Sequence, residues 1–140
     1  ETTPGEEVRS ALLTAIEQAR SSIEGEIYTL TDPDVLAGFS DAHRRGVRVR
    51  ILIDPSQPAN GQAERLLGVA GVEVHRYPAP AGTLLHAKAA LFDGHELLVG
   101  SANWTRSGLS VNHELDLITE DRGAAAAFAS RFEHDWQAAS

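Results

Sequence analysis

Cysteine is missing from this sequence of 140 residues, so disulfides, thiolate metal sites and cysteine nucleophiles are all excluded. Methionine is missing too, even at position 1. A processed or trimmed chain is therefore expected, and a removed leader would fit an extracytoplasmic protein; the compartment is otherwise left open. Long apolar runs are also lacking. None approaches the ~20 residues of a membrane-spanning helix, and a soluble protein without a transmembrane segment is expected. Positive charge is in short supply, 12 Lys and Arg against 20 Asp and Glu, for a net −8. Tight, sequence-blind duplex binding draws its affinity mainly from counterion release by many basic side chains, so this balance argues against it. Lysine is scarcest of all. Lys88 is the only one, and every other basic residue is arginine.

What is present reads as a globular chain, 42% apolar and 23% charged. One domain is expected over residues 1–140, large enough to bury roughly 70% of its unfolded surface. Residues 41–80 hold six bases and four acids, concentrated in "HRRGVRVR" (43–50). That island reads either as a solvated helix end and strand edge or, more pointedly, as a phosphate-facing patch.

"TPGEEVRSALLTAIEQARSSI" opens with Thr3 as N-cap, Pro4 at the first helical position and Glu6 completing a capping box. Val8, Leu12, Ala15, Ile16, Ala19 and Ile23 mark its apolar stripe. "EIYTL" (26–30) predicts a strand. "TDPDVLAGFSDAHRRG" predicts a helix from Asp-Pro to a Gly46 stop, with Val35, Leu36 and Phe39 inward. "VRVRILID" predicts a strand, Asn60 to Gly71 a helix, and "VEVHRYP" a third strand. Two strands broken at Asp93-Gly94 follow, then the strand "HELDLIT" and a helix anchored by Phe128, Phe132 and Trp136. Strand–helix alternation followed by consecutive strands implies an α/β fold: a mixed parallel/antiparallel sheet with helices packed on both faces.

His86 and Lys88 lie two apart on a predicted strand and so share a face; Ser101 and Asn103 do the same on the next. A two-residue loop sets His86 opposite Asn103 and Lys88 opposite Ser101, bringing four polar groups to one patch. A three-residue loop or a bulge breaks that pairing. An imidazole can attack phosphorus or shuttle a proton. Lys88, Ser101 and Asn103 can donate to non-bridging oxygens as charge shifts in the transition state. A compact ammonium suits this place, where a planar guanidinium would occupy the attack space.

The full spacing, His86-x-Lys88-x4-Asp93-x6-Gly100-Ser101-x-Asn103, resembles the HKD motif of the phospholipase D superfamily, and most closely its single-motif bacterial endonucleases. "NHELDLI" puts Glu114 where single-motif members carry a glutamate, and the order of elements from residue 6 to about 136 is similar as well. The resemblance implies a phospholipase D-like domain whose catalytic residues are His86, Lys88 and Glu114. Lys88, Ser101 and Asn103 would bind the substrate phosphate, and Asp93 and Gly100 complete the motif structurally. Because two HKD motifs meet at one active site in this family and this chain carries one, it implies a homodimer with the active site on the two-fold axis. His86 of one copy would form a phosphohistidine while His86 of the other protonates the leaving oxygen, with Glu114 orienting the histidine. No cofactor and no metal are implied. His113-Glu114-x-Asp116 is the one other compact His/acid cluster and lacks a third ligand at sensible spacing. Trp104 is expected to pack in the core, Tyr28 to approach the pocket if its strand is central, and His43, His75, His95 and His134 to be solvated.

Three functions compete. The first is nuclease-type hydrolysis of nucleic-acid phosphodiesters, so that nucleic acid is the expected substrate. The alternative is phospholipase D or phosphatidyltransferase activity on phospholipid, including as half of a two-motif enzyme, since "SANWTRSGL" and "FEHDW" resemble two-motif members equally. An idle domain that only binds a phosphorylated partner ranks last.

Overall fold

A computed structural model describes residues 4–78, 88–100, 103–105 and 116–139. The elements run α1 (Pro4–Gln18), β1 (Ser22–Ile27), α2 (Pro33–Arg44), β2 (Arg48–Ile53), α3 (Asn60–Val69), β3 (Glu73–Arg76), β4 (Lys88–Phe92), β5 (Glu96–Gly100), β6 (Asp116–Thr119) and α4 (Arg122–Ala138). They build one six-stranded sheet in the order β3-β2-β1-β4-β5-β6. The strands β1, β2 and β3 are parallel, while β4, β5 and β6 join antiparallel. The α/β class with a mixed sheet is thus observed.

Strand parity assigns the faces. Ile23, Ile27, Val49, Ile51, Ile53, Ala90, Phe92 and Leu98 pack with the apolar stripes of α1, α2 and α3 in the main core. The opposite face gives Leu52, Leu91 and Leu97 to α4, which meets them with Ala125, Phe132 and Trp136. Helices therefore cover both sides. Asp32 caps α2 by accepting from the backbone N–H of Asp34 and Val35, with Pro33 at the first helical position. Gly46 and Gly71 turn the chain after α2 and α3 with φ of 95° and 90°, a region glycine enters without steric cost. The expected cap Thr3 lies outside the described residues.

Two expectations are corrected. The strand placed at 26–30 occupies Ser22–Ile27 instead. Its polar face hides it, because Glu24 and Glu26 alternate with Ile23, Gly25 and Ile27; Glu24 pairs with Arg50 and Glu26 faces Asp135 of α4. The second correction is the hairpin. Its loop has three residues, Asp93-Gly94-His95, and the ladder pairs Ala89 with Val99 and Phe92 with Glu96. Continued one step, that register puts Lys88 in line with Gly100; the expected pairings of His86 and Ser101 lie outside the described residues. The physical reason is Asp93, which takes φ of 54° ahead of Gly94 at 75°. Asp is among the few side chains that tolerate this region.

Candidate active site

The carboxyl ends of β1 and β2 form the edge where an open α/β sheet binds ligands, and β1 is the strand at which the sheet changes direction of growth. Lys88 begins β4 at that edge, paired with Ile27, the last residue of β1. The next residue, Tyr28, turns its ring toward the lysine, with Lys88 Nζ 6.0 Å from the ring centroid.

Asn103 reaches the same edge by a route that hairpin parity does not anticipate. The chain leaves β5 at Gly100, and by Trp104 it lies beside residues 29–32, which continue from β1; β4 stands between the two. Trp104 N–H donates to Thr29 O at 3.0 Å, and Trp104 O accepts from Thr31 and Asp32 N–H, both at 2.9 Å. The indole is fully buried, tilted 5.9 Å from Phe39 and close over Gly25. A Cβ at Gly25 would meet Ile51 Cδ1 at 3.1 Å and Trp104 Cη2 at 3.4 Å. Trp104 is therefore a core residue that pins the backbone next to Asn103. The Asn103 side chain is half-buried and its Oδ1 has no hydrogen-bond partner.

A second buried asparagine stitches the edge together. Asn60 Oδ1 accepts from Leu30 N–H at 2.9 Å, and its Nδ2 donates to Tyr28 O at 2.8 Å and Asp54 O at 3.1 Å. Gln57 Nε2 donates to the Tyr28 hydroxyl at 2.7 Å. The sequence offers Asn60 only as a helix start and carries no signal for Gln57. Both act through the fold of the loop after β2, which periodicity does not report.

The family model described as "Cardiolipin synthase, PLD-like domain" matches residues 12–136. The chain belongs to the phospholipase D superfamily. It is 36% identical over 134 residues to the human mitochondrial cardiolipin hydrolase, covering 95% of this chain and 52% of that protein. The chain thus spans about half the length of the curated relatives it matches. Among solved structures it is similar to a phospholipase D family member, Nuc, from Salmonella typhimurium, with a TM-score of 0.86, 25% identity, and coverage of 99% of this chain and 92% of that one. NucT from Helicobacter pylori shares the fold at a TM-score of 0.83, 23% identity, 96% of this chain and 91% of that one.

Of the residues singled out for chemistry in this phospholipase D-like chain, Lys88 and Asn103 come to one edge. His86, Ser101 and Glu114 lie outside the described residues. Asp93 follows the far end of β4, roughly 17 Å from Lys88 at ~3.4 Å per residue. Its carboxylate accepts from the N–H of Arg20, Ser21 and Ser22 at 2.7 to 3.1 Å and from the Ser21 hydroxyl at 3.0 Å. Burial works to raise its pKa, but those backbone donors outweigh it and hold the carboxyl below its ordinary value. It staples the hairpin to the entrance of β1.

Of the two readings of the basic island, the helix end and strand edge fit the structure better than the phosphate-facing patch. The island runs from the last turn of α2 into the amino end of β2, where Arg48 pairs with Ser22, at the opposite end of the sheet from Lys88. Its arginines are paired within the chain, Arg44 and Arg48 at the surface. Arg45 donates to the carbonyls of Ile16, Glu17 and Ala19 at the end of α1, Arg44 pairs with Asp41, and Arg48 with Glu73. Arg50 is buried under α4, bonded to Glu24 and Glu133 and lying over the rings of Phe132 and Trp136. His75 is also corrected: it is half-buried and stacks on Trp136 at 3.8 Å. The exposed positions of His43, His95 and His134 fit solvated side chains.

Behind the edge, on the α4 side, Glu26 is 5% and Asp135 7% exposed. Burial first, then the Asp135 carboxylate, pushes the Glu26 pKa from 4.5 up to about 8, with Arg131 opposing. Glu26 Oε1 has no hydrogen-bond partner, as befits an acceptor facing another acid. The described residues contain no cluster of three or more His, Asp or Glu side chains able to hold a metal ion. None of their helices is long and apolar enough to cross a membrane.

Proposed function

We propose that the protein is a phosphodiesterase that hydrolyses nucleic-acid phosphodiesters through a covalent phosphohistidine, without a metal. The observation that carries this reading is the place of the single lysine at the switch-point edge, paired with the last residue of β1, while Asn103 precedes the Trp104 backbone bonded to the continuation of β1. An ammonium and a carboxamide NH2 are both donors suited to the non-bridging oxygens of one phosphate. In the proposed cycle, the His86 imidazole of one copy attacks phosphorus and forms the P–N bond as the P–O bond to the leaving alcohol breaks. His86 of a second copy gives that oxygen its proton. The second imidazole then takes a proton from water, whose oxygen displaces the first histidine and frees the phosphomonoester. Lys88, Asn103 and Ser101 hold the phosphoryl oxygens, and Glu114 orients the histidine. Two copies of this one-motif chain complete the site.

Nucleic acid is supported as substrate by the resemblance to single-motif bacterial endonucleases and by the nearly end-to-end match with Nuc. Phospholipid is the second reading. It is favoured by the identity to a cardiolipin hydrolase and by the basic island's engagement within the fold. The test runs single-stranded DNA against phosphatidylcholine and cardiolipin vesicles in excess chelator, with wild type and His86→Ala. Cleavage of DNA alone supports the first reading, and of lipid alone the second. Unchanged hydrolysis in His86→Ala removes the mechanism. Trapping an acid-labile, base-stable phosphoryl adduct on His86 identifies the nucleophile.

A further inference from the structure

We propose that Tyr28 is the positioning residue for the Lys88 ammonium: its ring face holds the cation at the sheet edge, and the Gln57 amide fixes the ring through its hydroxyl. The functional consequence rests on the phosphodiesterase reading above; the contact itself rests on geometry.

A lysine ammonium is a strongly hydrated point charge on a stem with four rotatable bonds. It aids a transition state only if held where charge will develop, because reorganisation during the reaction costs rate. Whatever orients this side chain therefore bears on rate, and this chain has no second lysine to substitute for it. An aromatic face attracts a cation within about 6 Å of its centroid and leaves the net charge intact. Tyr28 lies at that limit, 6.0 Å from Lys88 Nζ.

The ring is itself held. Its backbone carbonyl accepts from Asn60 at 2.8 Å, and its hydroxyl accepts from Gln57 at 2.7 Å. Asn60 is 2% exposed, so the anchor under Tyr28 is a buried, three-bonded side chain. The loop after β2 thereby controls a side chain on β4 with a tyrosine in between.

The lone lysine makes the test direct. Protein grown with ε-13C lysine gives a single side-chain resonance that needs no assignment. Tyr28→Leu is expected to move the ε-methylene resonance downfield as the ring current is lost. It should also lower kcat/KM on bis(p-nitrophenyl) phosphate roughly tenfold, mostly in kcat, the size expected of a partly desolvated cation–ring contact. Tyr28→Phe keeps the ring and is expected to stay near the wild-type resonance with a two- to threefold loss. Gln57→Ala should match it, and the double variant should be no worse than either single one. A Lys88 resonance that Tyr28→Leu leaves in place overturns the proposal. So does full activity in Tyr28→Leu where Lys88→Ala abolishes hydrolysis. If wild type does not hydrolyse the probe, the phosphodiesterase reading falls, and the resonance alone decides the contact: displaced supports it, unmoved overturns it. Circular dichroism melts of each variant separate these effects from unfolding.

Discussion

At the scale of single residues, two members of one motif have different occupations. Lys88 stands at the ligand-binding edge of the sheet, whereas Asp93 collects backbone donors at the opposite end. Asp93→Ala leaves the N–H groups of Arg20, Ser21 and Ser22 without their acceptor. Because the site is partly exposed, the expected cost is about 1–2 kcal/mol of stability, read as a lower melting temperature with kcat per folded molecule unchanged. The sign with pH follows. Asp93 has a depressed folded-state pKa, so its stabilisation is present above the unfolded pKa and is lost as pH falls through the folded one. The gap between Asp93→Ala and wild type should therefore narrow in acid, down to the pH-independent cost of alanine at φ 54°. Lys88→Arg tests the other occupation. It conserves charge but replaces a compact ammonium with a wide planar group, and hydrolysis is expected to fall on the order of a hundredfold, the cost of losing one well-placed donor. Wild-type rates in Lys88→Arg would show that charge without shape is enough.

At the scale of elements, legibility tracks how local each signal is. The helix α2 is readable end to end because its Asp-Pro start and its glycine stop are local chemistry, and Asp32 and Gly46 do what those residues do at helix ends. The strand β1 is hard to place because Glu24 and Glu26 are charged residues in a strand, and their partners Arg50 and Asp135 come from β2 and α4. The hairpin parity fails over a single residue, Asp93, whose positive φ depends on donors about 70 positions away in sequence. Asn103 still reaches the edge, through a backbone bridge between Trp104 and Leu30 that no spacing rule encodes.

The β1–α4 contact carries a prediction of its own. With Glu26 raised from 4.5 to about 8, the folded state binds more protons than the unfolded one between those values. The contribution of Glu26 to stability therefore falls as pH rises from about 4.5 to about 8 and is level on either side. A tenfold change in proton affinity corresponds to roughly 1.4 kcal/mol, so the drop is on the order of a few kcal/mol. Glu26→Gln keeps the shape and removes the titration. Its melting temperature should fall less than that of wild type across that window and exceed wild type at the alkaline end. A slope equal to that of wild type would show that no proton is held between Glu26 and Asp135.

At the scale of the whole molecule, the open question is how many chains make one active site. One motif supplies one His86, and the proposed cycle needs two imidazoles on opposite sides of phosphorus. A protomer working alone and a site shared across a two-fold axis predict different mixing behaviour. Wild type and His86→Ala can be denatured together in equal amounts and refolded so that protomers pair at random. If each protomer works alone, activity should be about half that of an equal total of wild type. If both histidines are required, only pairs of two wild-type protomers act, and activity should be about a quarter. Titrating the fraction of wild type strengthens the distinction, since one case gives a straight line and the other a square law. The square law would make the dimer part of the chemistry, and a straight line would place both proton-transfer roles within one chain.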